Sequence, residues 1–308
     1  MIKHAVRLCA SLACAVSMNA MALAQPLTYT LERTSSGYFV APVFLGEDGP
    51  YPFAPDTGAS HVAVAETLAQ RHGFISSGER IDPVQTLTAE VTAERHVLVD
   101  LRLGPERLGR VDAVVTPIAA DIELELFGLL GSEAFAGRTV EIDYPNSTLI
   151  LNADAPRQAD ARLDPVRQVL VGQAEARFVD APIAVLIDTG SPVTLVNPAL
   201  AERLSRRTPM QVLNVGSMSR IPDTVETEGR VTLTRFRLGG VCIPGLLVDE
   251  AELDVFDAMG WARRPAMIVG LDLLQDARLV VDYATGQAQI DAGPERWRCR
   301  ASRSQVQP

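Results

Sequence analysis

Two aspartates stand in the same short context 132 residues apart: Asp56 in "PDTGAS" and Asp188 in "IDTGSP". A single Asp-Thr-Gly is turn chemistry, because the carboxylate accepts from nearby amides and glycine tolerates unusual backbone angles. Two of them suit hydrolysis. Carboxyl groups held within a few ångströms cannot both ionise readily, so they share one proton. The charged member can take a proton from a bound water while the protonated member donates to a carbonyl oxygen. That chemistry needs Asp56 and Asp188 to meet, so the elements carrying them decide the matter.

Those elements repeat. "DTGASHVAVAETLAQR" from Asp56 aligns without gaps with "DTGSPVTLVNPALAER" from Asp188, matching Val64 with Val196, Leu68 with Leu200, Ala69 with Ala201 and Arg71 with Arg203. Each copy reads as a strand end, a glycine turn, a short strand and a short helix. In the second copy Asn197 suits the N-cap and Pro198 the first helical position. "RLG" recurs at Arg102–Gly104 and Arg237–Gly239. The first of these closes the alternating run "VLVDLRL", which predicts Val97, Val99, Leu101 and Leu103 on one face. "LLGSEAFAGRTVEIDY" (Leu129–Tyr144) then matches "IVGLDLLQDARLVVDY" (Ile268–Tyr283), with Gly131 and Gly270 each twelve residues before an Asp-Tyr.

Three blocks in the same order, offset by 132, 135 and 139 residues, define a duplicated unit of about 125 residues. The many short strands and few helices predict an all-β protein of two pseudo-symmetric lobes with the site between them. The lobes are expected at 25–155 and 165–293, with a linker at 156–164 inside the Pro/Ala/Asp-rich stretch Asn152–Pro165, and a tail at 294–308.

The first 24 residues stand apart. Lys3 and Arg7 precede the apolar "LCASLACAV", and "ALA" (Ala22–Ala24) precedes Gln25. This is the pattern of a secretory signal cleaved after Ala24, and it points to a periplasmic or secreted protein. No later segment is long and apolar enough to span a bilayer. Without the leader the formal charge moves from −10 to −12 and no lysine remains, so nucleic acid is not an expected partner. Cys242 and Cys299 would be the remaining cysteines. In an oxidising compartment they can pair, and equally Cys242, in an apolar run, can be a buried free thiol. His61, His72 and His96 have no ligand spacing, so neither metal nor cofactor is expected. His61, five after Asp56, reads as a strand residue.

These residues resemble the aspartic proteases, specifically the bacterial retropepsin-like branch, over nearly all of the chain after the leader. "DTGAS" and "DTGSP" resemble its catalytic loops, whose paired aspartates are the established instance of the shared proton described above. Leu129–Gly131 and Ile268–Gly270 resemble the apolar-apolar-Gly element beneath each loop. "GLLGSEAFAGRTVEIDYPNSTLIL" (Gly128–Leu151) looks like the family's closing segment. The resemblance implies an aspartic endopeptidase of the acid-protease fold, acting on a peptide or protein. It makes Asp56 and Asp188 the catalytic pair. Thr57 and Thr189 would lock the loops to each other, and Gly58 and Gly190 would give close-approach backbone. Ser191 would hydrogen-bond its aspartate where Ala59 cannot, so Ala59→Ser should lower the acidic limb of the pH–rate profile. With both halves in one chain, a monomer suffices.

Two departures stand out. Pro55 replaces the usual apolar strand residue and removes a backbone donor. Thr86–Val91 has neither glycine nor tyrosine, so Val215–Ser219 is the better candidate for the hairpin that closes over substrate. The alternative reading is a peptide-binding protein on the same fold that does not cut.

Overall fold

A computed structural model of the protein describes residues 25–73, 81–116, 126–206, 211–219 and 224–293. The first lobe opens with β1 (Leu27–Thr30), β2 (Glu32–Arg33), β3 (Phe39–Leu45), β4 (Asp48–Pro55) and β5 (Val62–Ala65), then helix α1 (Glu66–Arg71). Next come β6 (Ile81–Gln85), β7 (Glu90–Leu103), β8 (Glu106–Thr116), β9 (Gly128–Leu130), a 3-10 turn at Ser132–Phe135, β10 (Thr139–Asp143) and β11 (Thr148–Leu151).

The second lobe repeats that order. It holds β12 (Ala161–Leu163), β13 (Leu170–Ala174), β14 (Ile183–Ile187), β15 (Leu195–Val196), α2 (Pro198–Ser205), β16 (Gln211–Ser219), β17 (Thr224–Leu238) and β18 (Val241–Glu250). Helix α3 (Asp254–Ala258) precedes β19 (Ala266–Val269), α4 (Leu271–Leu274), β20 (Ala277–Asp282) and β21 (Gln287–Ala292). The all-β architecture of two pseudo-symmetric lobes read from the repeat is the one observed.

The strands nearest the aspartates are apolar throughout because both of their faces are covered. β14 reads IAVLI and every residue is buried, as is usual for strands with parallel neighbours inside a sheet. In the first lobe β9 lies between β4 and β5, parallel to one and antiparallel to the other. β19 lies in the same way between β14 and β15. Each Asp-Thr-Gly loop therefore leaves one strand, passes over the end of its intervening neighbour and re-enters the sheet beyond it.

The lobes are not separate bodies. β10 pairs with β20, placing Val140 opposite Val281, and β1, β11, β10, β20, β21 and β12 form one continuous run of strands. The proposed linker at 156–164 consequently contains β12, which pairs with β13 and β21. Its prolines and aspartates suggest a loop, but Ala161 and Leu163 are buried in the shared sheet. One apolar cluster extends from Leu31 in the first lobe to Ile290 in the second.

The expected face of β7 is corrected. Leu101 and Leu103 are fully buried, but Val97 and Val99 are 40% and 73% exposed. The pairing with β8 shifts register between Leu98 and Leu101. Such a bulge adds a residue to one strand and reverses which side chains point inward, so His96 and Leu98 are the buried residues above it. The capping of α2 is as expected: Asn197 Oδ1 accepts from Leu200 N at 2.9 Å and Pro198 occupies the first turn. Cys242 is buried in β18 and disulfide-bonded. Its partner lies outside the described residues, as do Cys299 and the leader. Among the described residues no helix is long and apolar enough to cross a membrane.

Candidate active site

Thr57 and Thr189 hold the two loops together. Thr57 Oγ1 donates to Ile187 O at 2.6 Å, and Thr189 Oγ1 donates to Pro55 O at 2.7 Å. Each hydroxyl also accepts the other threonine's amide, at 3.0 Å from Thr57 N and 3.3 Å from Thr189 N. All four groups are buried, so each bond satisfies a polar atom that water cannot reach. Pro55 lacks an N–H, but the interlock uses its carbonyl, which proline retains. The departure noted in the sequence thus leaves this contact intact.

The carboxyls face each other as a result. Asp56 and Asp188 are 7% and 6% exposed. Asp56 Oδ1 accepts from Gly58 N at 2.8 Å, and Asp188 Oδ1 accepts from Gly190 N at 2.9 Å. A Cβ added to Gly58 would fall 2.6 Å from Asp188 Cγ, and one added to Gly190 would collide with the Asp56 carboxyl. Each glycine therefore lets one lobe's backbone reach the other lobe's aspartate, a close approach that only glycine permits. Gly131 and Gly270 support the loops from below. A Cβ there would strike the carbonyl of His61 in one lobe and that of its counterpart Val193 in the other.

Burial raises the Asp56 carboxyl above the ordinary aspartate range. Hydrogen bonding from the Asp188 carboxyl and from the amides of Gly58, Ala59 and Gly190 opposes that rise. Removing water penalises the charged form, while donors favour it. Such an arrangement retains one proton on the pair when an exposed aspartate would have lost it. Two buried phenols lie near the pair. Burial holds Tyr144 and Tyr283 protonated above the usual tyrosine range, and the charge of Asp56 adds to both.

Ser191 differs from expectation. Its hydroxyl donates to Val193 O at 2.9 Å, closing the turn after the loop, so its single O–H is not available to Asp188. The equivalent carbonyl in the first lobe is that of His61. We therefore expect Ala59→Ser to leave the acidic limb of a pH–rate profile unshifted, measured against the unsubstituted protein; a shifted limb would show that the new hydroxyl reaches Asp56.

A cavity of about 600 Å³ opens over both aspartates. The turn between β6 and β7 covers it, while the other candidate, Val215–Ser219, lies in β16 at the edge of the large sheet. Thr86 and Ala89 close this turn without glycine: Thr86 N donates to Ala89 O at 2.8 Å, and Thr86 Oγ1 accepts from Ala89 N at 3.1 Å. Leu87 reaches across the cleft, its carbonyl accepting from Val255 N at 3.2 Å. His61 also lines the cavity from the loop before β5, so it is not a strand residue. Tyr144 and Tyr283 went unassigned in the sequence, although the repeated Asp-Tyr was the signal that could have found them. No group of His, Cys, Asp and Glu suited to a metal occurs among the described residues.

Two buried carboxyls, a pseudo-symmetric interlock and a covered cleft define the class of protein. The family model for aspartyl protease matches residues 41–134 and again 174–273, one match in each lobe. The chain belongs to the aspartyl protease family, as a two-lobed, retropepsin-like member. No curated protein matches it.

Proposed function

We propose that this protein is an exported, monomeric aspartic endopeptidase that cleaves peptide bonds with a water activated between Asp56 and Asp188. The observation that carries the reading is the reciprocal bonding of Thr57 and Thr189, which aims both carboxyls at one point from two lobes of a single chain. The pair holds one proton. Its ionised member removes a proton from the water as the oxygen attacks the peptide carbonyl, and its protonated member donates to the carbonyl oxygen. Collapse of the tetrahedral intermediate expels the amine, which takes a proton from the pair, while one hydroxyl of the intermediate returns its proton to the pair and restores the shared one. The substrate is a peptide or protein segment laid along the cleft beneath Leu87. The leader at residues 1–24 supports export to the periplasm or beyond.

The pH dependence follows from the pair. Activity falls as pH drops through the lower step, where both carboxyls are protonated and no base remains. It falls again as pH rises through the upper step, where the last proton leaves and no acid remains. Because burial raises Asp56, the upper limb lies above the ordinary aspartate range. A mixed-peptide digest followed by mass spectrometry from acidic to neutral pH checks this. Internal cleavage with a bell-shaped profile is the expected result; binding of peptides without cleavage at any pH would overturn the enzymatic reading.

A further inference from the structure

The duplicated sheets carry equivalent rows of side chains, and the two rows differ beside the cleft. In the first lobe the strand registers align Leu129, Ala63, Val114 and Arg95 across β9, β5, β8 and β7. In the second lobe the same registers align Ile268, Leu195, Asp249 and Arg230. The first row lines the cavity from end to end.

The second row is closed. Leu195 is fully buried, and Asp249 lies opposite Arg230 and receives two bonds from it, at 2.5 and 3.2 Å. The first row has Ala63 where the second has Leu195, so space remains. It has Val114 where the second has Asp249, so Arg95 bonds sideways instead. Its Nη1 donates to Asp112 Oδ2 at 3.2 Å and its Nη2 donates to His61 Nε2 at 2.8 Å. Since Nε2 accepts, the ring proton is on Nδ1 and is donated to Ser60 Oγ at 2.6 Å. Glu133 brings a carboxylate to the same wall, one oxygen of which accepts from Asp112 N. Thr116, two residues beyond Val114 on β8, also lines the cavity. It is 7% exposed, and its Oγ1 is shut off from the cavity.

Resting on the endopeptidase reading, we propose that this first-lobe pocket is a specificity subsite that selects an uncharged hydrogen-bonding substrate side chain, a carboxamide above all. Arg95 offers donors and Glu133 an acceptor, so a carboxamide can use both. A substrate carboxylate would meet Glu133, and a substrate ammonium would meet Arg95. The facing subsite is of the opposite kind: Leu186, Val169, Val255, Met259 and Leu87 give it apolar walls. The preferred peptide therefore has a carboxamide on one side of the cleaved bond and a large apolar residue on the other.

The test uses the full chain and a peptide set varied one position at a time on either side of the cleaved bond. Leu placed where Gln belongs displaces water from Arg95 and Glu133 without replacing its bonds, so Gln should exceed Leu by about tenfold in kcat/KM at one flanking position. Ala63→Leu, which copies the second lobe, should bring that ratio to about one. Glu133→Ala, which removes the acceptor and serves if Ala63→Leu fails to fold, should reduce the ratio severalfold. Neither should alter the apolar preference at the other flank. The same peptides, fluorescently labelled, are titrated against Asp56→Asn to read affinity without cleavage. Cleavage without a Gln preference, or with one that both variants preserve, overturns the pocket and leaves the protease. Gln-selective binding without cleavage by the unsubstituted chain overturns the protease and leaves the pocket.

Discussion

Asp56→Asn is expected to lower kcat roughly 10²–10⁴-fold, the range that one positioned acid or base contributes, and Asp188→Asn to do the same. An asparagine occupies the same volume and can still accept from Gly58 N, so the loop should keep its shape. What is lost is the shared proton. KM should change little, because the carboxyl group acts on the reacting atoms and the cleft walls hold the rest of the peptide. Stability supplies a second readout. Burial places the Asp56 carboxyl above its unfolded value. Its favourable contribution is therefore complete below the unfolded pKa and is lost as pH rises through the folded one. Asparagine has no charged form to bury. Asp56→Asn should accordingly melt at a higher temperature than the unsubstituted protein near neutral pH, and the gap should close on acidification. A variant that cuts normally, or melts lower at neutral pH, would contradict the role and the burial argument respectively.

The second large effect belongs to the interlock. Thr57→Val preserves shape but removes the donor to Ile187 O and the acceptor for Thr189 N. Both groups are buried, and an orphaned buried polar group costs about 1–3 kcal/mol, so the loss is roughly 2–6 kcal/mol. That is a large share of the 5–15 kcal/mol typical of a folded domain. Thr189→Val orphans Pro55 O and Thr57 N by the same geometry. Because the threonines act as one unit, the double variant should cost clearly less than the sum of the singles. Denaturant unfolding of the four proteins measures the cycle. Strict additivity would mean that the two sets of cross-lobe bonds act independently of each other.

Much of this was legible in the sequence because duplication is a pattern and not a propensity. The match of Asp56 to Asp188 and of Gly131 to Gly270 fixed the lobes, the strand-turn-strand around each aspartate and the support beneath it. What failed was local. Alternation alone placed Val97 and Val99 inward, but one inserted residue near Leu98 reverses a strand's faces, and nothing in the composition of "HVLVDLRL" marks a bulge. The composition of 156–164 suggests a loop, yet the three residues of β12 complete a sheet whose other strands come from both lobes. The covering turn was sought where glycine lies, and it formed at Thr86–Ala89 because a threonine hydroxyl can close a turn as glycine does. His61 was set aside for want of a ligand motif. Its partner Arg95 lies 34 residues away, and only the pairing of β8 with both β5 and β7 brings them together. Repeats expose what the halves share, and the pocket beside Ala63 exists where they differ.

The central claim is that Asp56 and Asp188 form one unit holding one proton, and carboxyl titration tests it most directly. In the full chain with ¹³C-labelled aspartate carboxyls, assigned by Asp56→Asn and Asp188→Asn, the pair should titrate in two separated steps that both resonances sense. The upper step should lie above the ordinary aspartate range, and Asp188→Asn should reduce the two steps to one. Independent titration of the two carboxyls, each in a single step at the ordinary aspartate pKa, would contradict the account.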